Sequence, residues 1–187
     1  MPVHDPFESV LGAACQGAEW AWARLVDDVD GTLRRYVRRQ GGADVDDIVG
    51  ETWLHVARRL GSFSGDEAAF RSWVFMVAHH RIVDERRRLG RKRVEHVEDA
   101  FLDEASPRAP SAESEAVERI ADEQVRQVLD RLPPDQREVV LLRFVADFGA
   151  TDIARIIGKT PGAVRALQRR ALKRLEKILG QDGTFSA

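Results

Sequence analysis

The chain has 187 residues, 43% of them apolar and 32% charged, with a formal net charge of −2 at pH 7. That length supplies one globular domain or two small ones. No run approaches the roughly 18 apolar residues that span a bilayer, and the opening MPVHDPFESV lacks the apolar segment of a secretory signal. The single cysteine, Cys15, forms no internal disulfide, which suits a reducing compartment, so a soluble cytoplasmic protein without membrane insertion is expected. The small net charge hides alternating blocks: residues 1–80 carry −4, 81–93 carry +5, 94–130 carry −8 and 131–179 carry +6. A partner within a Debye length of about 8 Å meets the local block and not the total.

Helix signals dominate from the start and strand signals are poor, so an all-α chain is expected. FESVLGAACQ reads as a short helix ending at Gly17. AEWAWARLVDDVDGTLRRYVRR then sets Trp22, Leu25, Val29, Leu33 and Val37 along one side at helical spacing. After Gly41 and Gly42, DVDDIVGETWLHVARRL places Ile48, Val49, Thr52, Val56 and Leu60 in register, with Asp44 as its cap. A Ser64/Glu67 pair is the expected cap of the next helix, whose stripe is Phe70, Trp73, Val74, Val77, Ala78 and Ile82 and whose end is the basic ERRRLGRKR. These elements make a helical domain over residues 1–93.

Residues 94–117 are acidic and rich in Pro, Ser and Ala, the composition of a flexible linker with little to bury. Residues 118–180 then read as four helices with short connections, followed by a seven-residue tail, 181–187. Val117, Ile120, Val128, Leu129 and Leu132 mark the first helix. LPPDQREVVLLRFV opens the second, with Asp135 and Glu138 as a capping pair. GATDIARIIG is a short third helix capped by Thr151 and closed by Gly158; TPGAVRALQRRALKRLEK is the fourth, with Thr160 as cap, Pro161 at the first position and Gly180 as stop.

A short helix, a glycine-containing turn and a longer helix define a helix-turn-helix, whose second helix enters the DNA major groove. Lys159 to Lys177 holds seven Lys/Arg and a single acid. If Val164, Leu167, Ala171 and Leu175 pack inward, Arg165, Arg169 and Lys173 fall on the opposite side, flanked by Arg170, Arg174 and Lys177. Arginine bonds a guanine edge bidentately, worth about 1–3 kcal/mol of base discrimination. Arg165, Ala166 and Arg169 would sit deepest, and Lys159 and the Thr160 hydroxyl would lie near a phosphate, as would the free N–H groups of the helix start. The competing reading is a basic face that is merely solvated.

Four segments, in order, resemble the extracytoplasmic-function class of bacterial RNA polymerase sigma factors: DVDDIVGETWLHVARRLGSF, FRSWVFMVAHHRIVDERRR, LPPDQREVVLLRFV and DIARIIGKTPGAVRALQRRALKRL. The resemblance covers roughly residues 7–178. It implies a first domain of the sigma region 2 type, which holds the coiled coil of the polymerase's largest subunit and opens the −10 element as single strands. It implies a second domain of the region 4 type, near the polymerase flap, which reads the −35 element as duplex. The protein would be a non-catalytic initiation subunit without cofactor or metal, and an anti-sigma factor is an expected further partner.

By that resemblance Asp46, Asp47, Glu51 and Trp53 are candidates for polymerase binding. Asp47 and Glu51 share one helix face, whereas Trp53 is equally readable as core. The −10 strand would meet the loop Gly61–Ala68 and the helix after it, with Phe63, Ser64, His79, His80, Arg81, Arg86, Arg87, Arg88 and Arg91 as candidates. Phe63 could stack an unpaired base, a contact worth about 1–3 kcal/mol, or staple the loop to the core. Two positions depart from the family pattern: Gly50 stands where Gln is usual, and His79-His80 where Arg-Asn is usual, so the preference for a flipped base does not carry over. His80 and Asp84 lie one turn apart like a metal pair, but no third ligand appears. The alternative class is an ordinary helix-turn-helix regulator with an N-terminal effector or dimerisation domain. A hydrolase would need a nucleophile elbow, a phosphate loop or a closed metal set, none of which the sequence contains.

Overall fold

The structure, a computed structural model, describes residues 6–41, 44–95 and 124–182. The described residues form helices and connecting turns, without strands. In chain order they are α1 (Phe7–Cys15), α2 (Glu19–Gln40), α3 (Val45–Arg59) with a 3-10 turn at Leu60–Ser62, α4 (Glu67–Glu95), α5 (helical over 124–130), α6 (Pro134–Phe144), α7 (Ala150–Ile157) and α8 (Pro161–Asp182). All but the first two residues of the acidic linker fall outside the described residues, as does the start of the helix expected from residue 118.

Three helix ends have a clear local cause. Asp44 caps α3 by accepting from the Asp46 and Asp47 amides at 2.9 and 3.2 Å. Thr160 caps α8 through its hydroxyl, which accepts from the Ala163 amide at 3.2 Å. Gly158 closes α7 in the left-handed conformation, φ +67°, which costs a glycine no Cβ clash. That residue makes the tight turn between α7 and α8.

Other expected caps are corrected. On α4 the capping side chain is Asp66, which accepts from the Ala69 amide at 2.8 Å, while Ser64 lies outside the helix and is exposed. On α7 the cap position is Gly149, and Thr151 lies inside the helix without a side-chain capping bond. On α6 the cap position is Pro133 and no side chain caps it. Glu138 has turned the other way and is buried at 4% exposure. Gly180 does not stop α8, which runs on to Asp182.

The expected stripes are the core. Leu25, Val29, Leu33 and Val37 of α2 pack with Ile48, Val49 and Val56 of α3 and with Phe70, Val74, Ala78 and Ile82 of α4, all 5% exposed or less. In the C-terminal half Val139, Leu142, Ile153, Ile156, Val164 and Ala171 are closed off in the same way. The two halves lie against each other, with α7 beside α4 and α6 beside α2. Phe75 of α4 meets Phe148, which precedes α7, edge to face at 5.0 Å. The Arg71 guanidinium sits 5.7 Å above the same Phe148 ring.

Candidate nucleic-acid and polymerase interfaces

The second helix of the helix-turn-helix presents a continuous basic face. Val164 and Ala171 are fully buried and Leu167 nearly so, which turns Arg165, Arg169 and Lys173 outward, all exposed. Arg170, Arg174 and Lys177 are exposed beside them, and Ala166 is half-buried. A wide concavity of about 660 Å³ opens on the flank of α8 between Arg170, Lys173, Arg174 and Lys177 and, across from them, Arg131 and Gln136. Arg170 donates its Nε to the Ala166 carbonyl at 3.3 Å, while Lys159 pairs with Asp135 at 3.0 Å. The capped α8 start, its exposed arginines and its free amides meet the requirements of a groove-reading helix with phosphate contacts at its edge.

The acidic ridge of α3 is equally exposed. Asp46, Asp47 and Glu51 all face solvent, and Asp46 receives the Arg34 guanidinium at 2.6 Å. Arg34 also holds Asp30 at 2.6 Å, and these two hydrogen bonds raise its already high pKa further. Trp53 is half-buried: its Nε1 donates to Asp30 at 2.7 Å and its ring meets Trp22 edge to face at 6.0 Å. Leu54, which belongs to no motif in the sequence, is 57% exposed. It stands one turn past Glu51 and two past Asp47, an apolar side chain on an acidic ridge. Its apolar character alone suggests core. The usable signal is its position, out of register with the Ile48, Val49, Thr52 and Val56 stripe.

Between α3 and α4 lies a shallow hollow of about 540 Å³ with mixed charge, lined by Asp47, Glu51, Arg81, Asp84, Glu85 and Arg88 among others. Arg81 pairs with Glu51 at 3.5 Å, so a −10 candidate and a polymerase candidate are neighbours. Arg87 and Arg88 reach back to Asp84 at 3.8 Å and Glu85 at 2.8 Å and remain largely exposed. His55, one turn past Glu51, has its pKa lowered by burial first and then by the charges of Arg81, Arg59 and Arg58.

The remaining −10 candidates divide. Phe63 stacks on Trp73 with ring centres 5.1 Å apart and planes 10° apart, and meets Phe70 edge to face at 5.7 Å. It is half-buried, and it forms an aromatic platform beside the exposed Ser64. His80 is exposed, and Arg91 lies on α4 beyond the side chains described. His79 and Arg86 instead line the seam between the two halves. His79 Nδ1 is 3.0 Å from Glu138, and Arg86 donates to the Gln40 side-chain oxygen at 2.6 Å and to the Gln40 carbonyl at 2.9 Å. Among the described residues no three His, Cys, Asp or Glu side chains converge as a metal site would require, and no helix is long and apolar enough to cross a membrane.

Known proteins match both halves. The family profile described as Sigma-70 region 2 covers residues 21–92, and that described as Sigma-70, region 4 covers residues 122–175. The ECF RNA polymerase sigma factor EcfG of Rhodopseudomonas palustris is 31% identical over 81% of this chain and 81% of its own. The ECF RNA polymerase sigma factor BldN of Streptomyces coelicolor is 32% identical over 87% of this chain, which spans 61% of BldN's length. Among solved structures, CnrH in complex with the cytosolic domain of CnrY has the same fold, with a TM-score of 0.72 at 23% identity, covering 95% of this chain and 99% of that one.

Proposed function

Because the chain belongs to the extracytoplasmic-function RNA polymerase sigma factors, we propose that it binds core RNA polymerase, directs it to a defined set of promoters and helps open the −10 region. It acts in the cytoplasm as an initiation subunit and carries no catalysis of its own. The half built from α1 to α4 holds the polymerase through the ridge of Asp46, Asp47, Glu51 and Leu54, with Trp53 bracing it from beneath. Polar rim and apolar contact together are what a helix needs to dock on a coiled coil.

The −35 element is read by α8. Arg165 and Arg169 reach base edges, while Lys159, Thr160, Arg170, Lys173 and Arg174 hold phosphates. The observation that carries this reading is the outward arginine ridge on a capped helix immediately after the Gly158 turn. The −10 strand runs over the Phe63–Trp73 platform toward His80, Arg81, Arg87 and Arg88, where an unpaired base gains stacking and its phosphates gain charge. When no promoter is bound, the two basic faces attract any polyanion, so the chain's further partner is an anti-sigma protein that covers both halves.

Purified core polymerase, this protein and genomic fragments test the reading together. New, discrete transcription start sites are expected with the protein and none without it. A protein that binds core but yields no new start sites contradicts the promoter assignment, and one that does not bind core contradicts the polymerase assignment.

A further inference from the structure

The ridge assigned to polymerase lies on α3, yet two of its residues are held by one carboxylate of α2. Asp30 Oδ1 accepts from the Trp53 indole at 2.7 Å, and its Oδ2 accepts from Arg34 Nε at 2.6 Å. Arg34 passes the tie on, since its Nη1 donates to Asp46 Oδ1 at 2.6 Å. The two points of attachment on α3, Asp46 and Trp53, are about two helical turns apart. Asp47 and Glu51 lie between them and Leu54 directly after.

The plain reading of Asp30 is a partner for its own helix, as Asp28 is for Arg24 at 3.0 Å. The geometry differs. The Asp28 and Arg24 side chains are 47% and 49% exposed, whereas that of Asp30 is 23% exposed and both of its oxygens are taken. A partly desolvated carboxylate is costly unless its lone pairs are matched, and one of the matching groups is the ridge's own indole.

The second helix grips that indole from two sides. Trp22, two turns before Asp30, meets the Trp53 ring edge to face at 6.0 Å. The buried stripe of Ile48, Val49 and Val56 decides which side of α3 faces inward, but it does not orient the side chains at the rim. Asp30 does. It holds Trp53 in one orientation, and through Arg34 it aims Asp46 without covering it, since the Asp46 side chain is still 84% exposed.

We propose that Asp30 is a positioning residue of the polymerase-binding ridge: from α2 it sets Trp53 directly and Asp46 through Arg34, and does not itself touch polymerase. This role rests on the polymerase reading of α3 given above. Side chains arranged beforehand lose little freedom on docking, and the saving is read as tighter binding. Loss of Asp30 frees the indole, Arg34 and Asp46 together, which weakens binding to the core enzyme by about tenfold.

The test uses the full chain, with affinity for core polymerase as one readout. The other is hydrogen exchange of the Trp53 indole proton, followed by NMR and assigned through Trp53→Phe. In the free wild type this proton is expected to exchange slowly beside that of the exposed Trp20. Asp30→Ala is expected to release it and to bind core about tenfold more weakly, with helix content by circular dichroism unchanged. Asp30→Asn retains an acceptor oxygen for the indole, and is expected to keep the slow proton and most of the affinity. An Asp30→Ala protein that releases the proton and binds core as tightly as wild type overturns the positioning role. So does an Asp30→Asn protein that keeps the slow proton yet binds as weakly as Asp30→Ala, because the charge and not the tie then counts. A wild-type Trp53 proton that exchanges as fast as that of Trp20 overturns the proposal even if Asp30→Ala fails to fold. A wild type that does not bind core overturns the polymerase reading instead, and the slow proton then still reports the tie.

Discussion

Tyr36 is the only tyrosine in the chain and is fully buried. Burial first, and then the negative charge of Glu138, push its pKa well above the usual phenol value of 10. A raised folded pKa favours the protonated form, so its share of stability is complete below about pH 10 and is lost as pH rises through the folded value. An alkaline titration is therefore expected to show tyrosinate absorbance only as the helical signal collapses. Tyrosinate forming near the ordinary phenol pKa in a fully helical protein would contradict the buried hydrogen bond to Glu138. At the same scale, Arg169→Ala is expected to lose about 1–3 kcal/mol of discrimination at one position of the upstream element, whereas Arg88→Ala weakens all sequences alike and lowers the salt slope. Competition binding on a panel of single-base variants at two salt concentrations separates these outcomes. The roles of Thr160 and Asp44 are readable from the sequence because a cap bonds amides two or three residues away. That of Glu138 is not, because its partners lie 102, 98 and 59 residues distant and its local context, three after Asp135, imitates a capping box.

The helices themselves are legible, since an apolar repeat of three and four residues requires only that a helix bury one side. The stripes of α2, α3 and α4 expected from spacing are the buried faces observed. What periodicity does not supply is the choice among neighbouring capping candidates. Asp66 and Ser64 both precede Glu67, and the chain uses the aspartate, whose carboxylate also favours the positive end of the helix dipole. Asp66→Ala is expected to cost about 1 kcal/mol in chemical denaturation and Ser64→Ala close to nothing. Gly50 sits in the middle of α3 on its exposed side, and a Cβ there would meet nothing within 4 Å. Gly50→Ala is therefore expected to stabilise the protein by up to about 1 kcal/mol. A loss of stability would show that the position carries a constraint beyond helix propensity.

At the scale of the whole molecule, block charge is legible in the linear order of residues and assigns a basic face to each half. The outward arginines of α8 and the exposed Arg87 and Arg88 of α4 agree with that assignment. The way the halves meet is hidden, because nothing local in the sequence shows that Phe75 and Phe148 touch across the seam. The same concealment explains why the sequence alone groups His79 and Arg86 with Arg81 and Arg87 as nucleic-acid candidates: the four share α4, and only tertiary packing shows His79 bonded to Glu138 and Arg86 to Gln40.

The most direct test of the central claim is transcription from a fragment carrying both elements, with purified core polymerase and either the wild-type protein or an Arg165→Ala/Arg169→Ala double variant. Wild type is expected to give a discrete start downstream of the two elements. The double variant is expected to keep its association with the core enzyme and lose most of that transcript, whereas equal output from both proteins, or from core alone, would contradict the account.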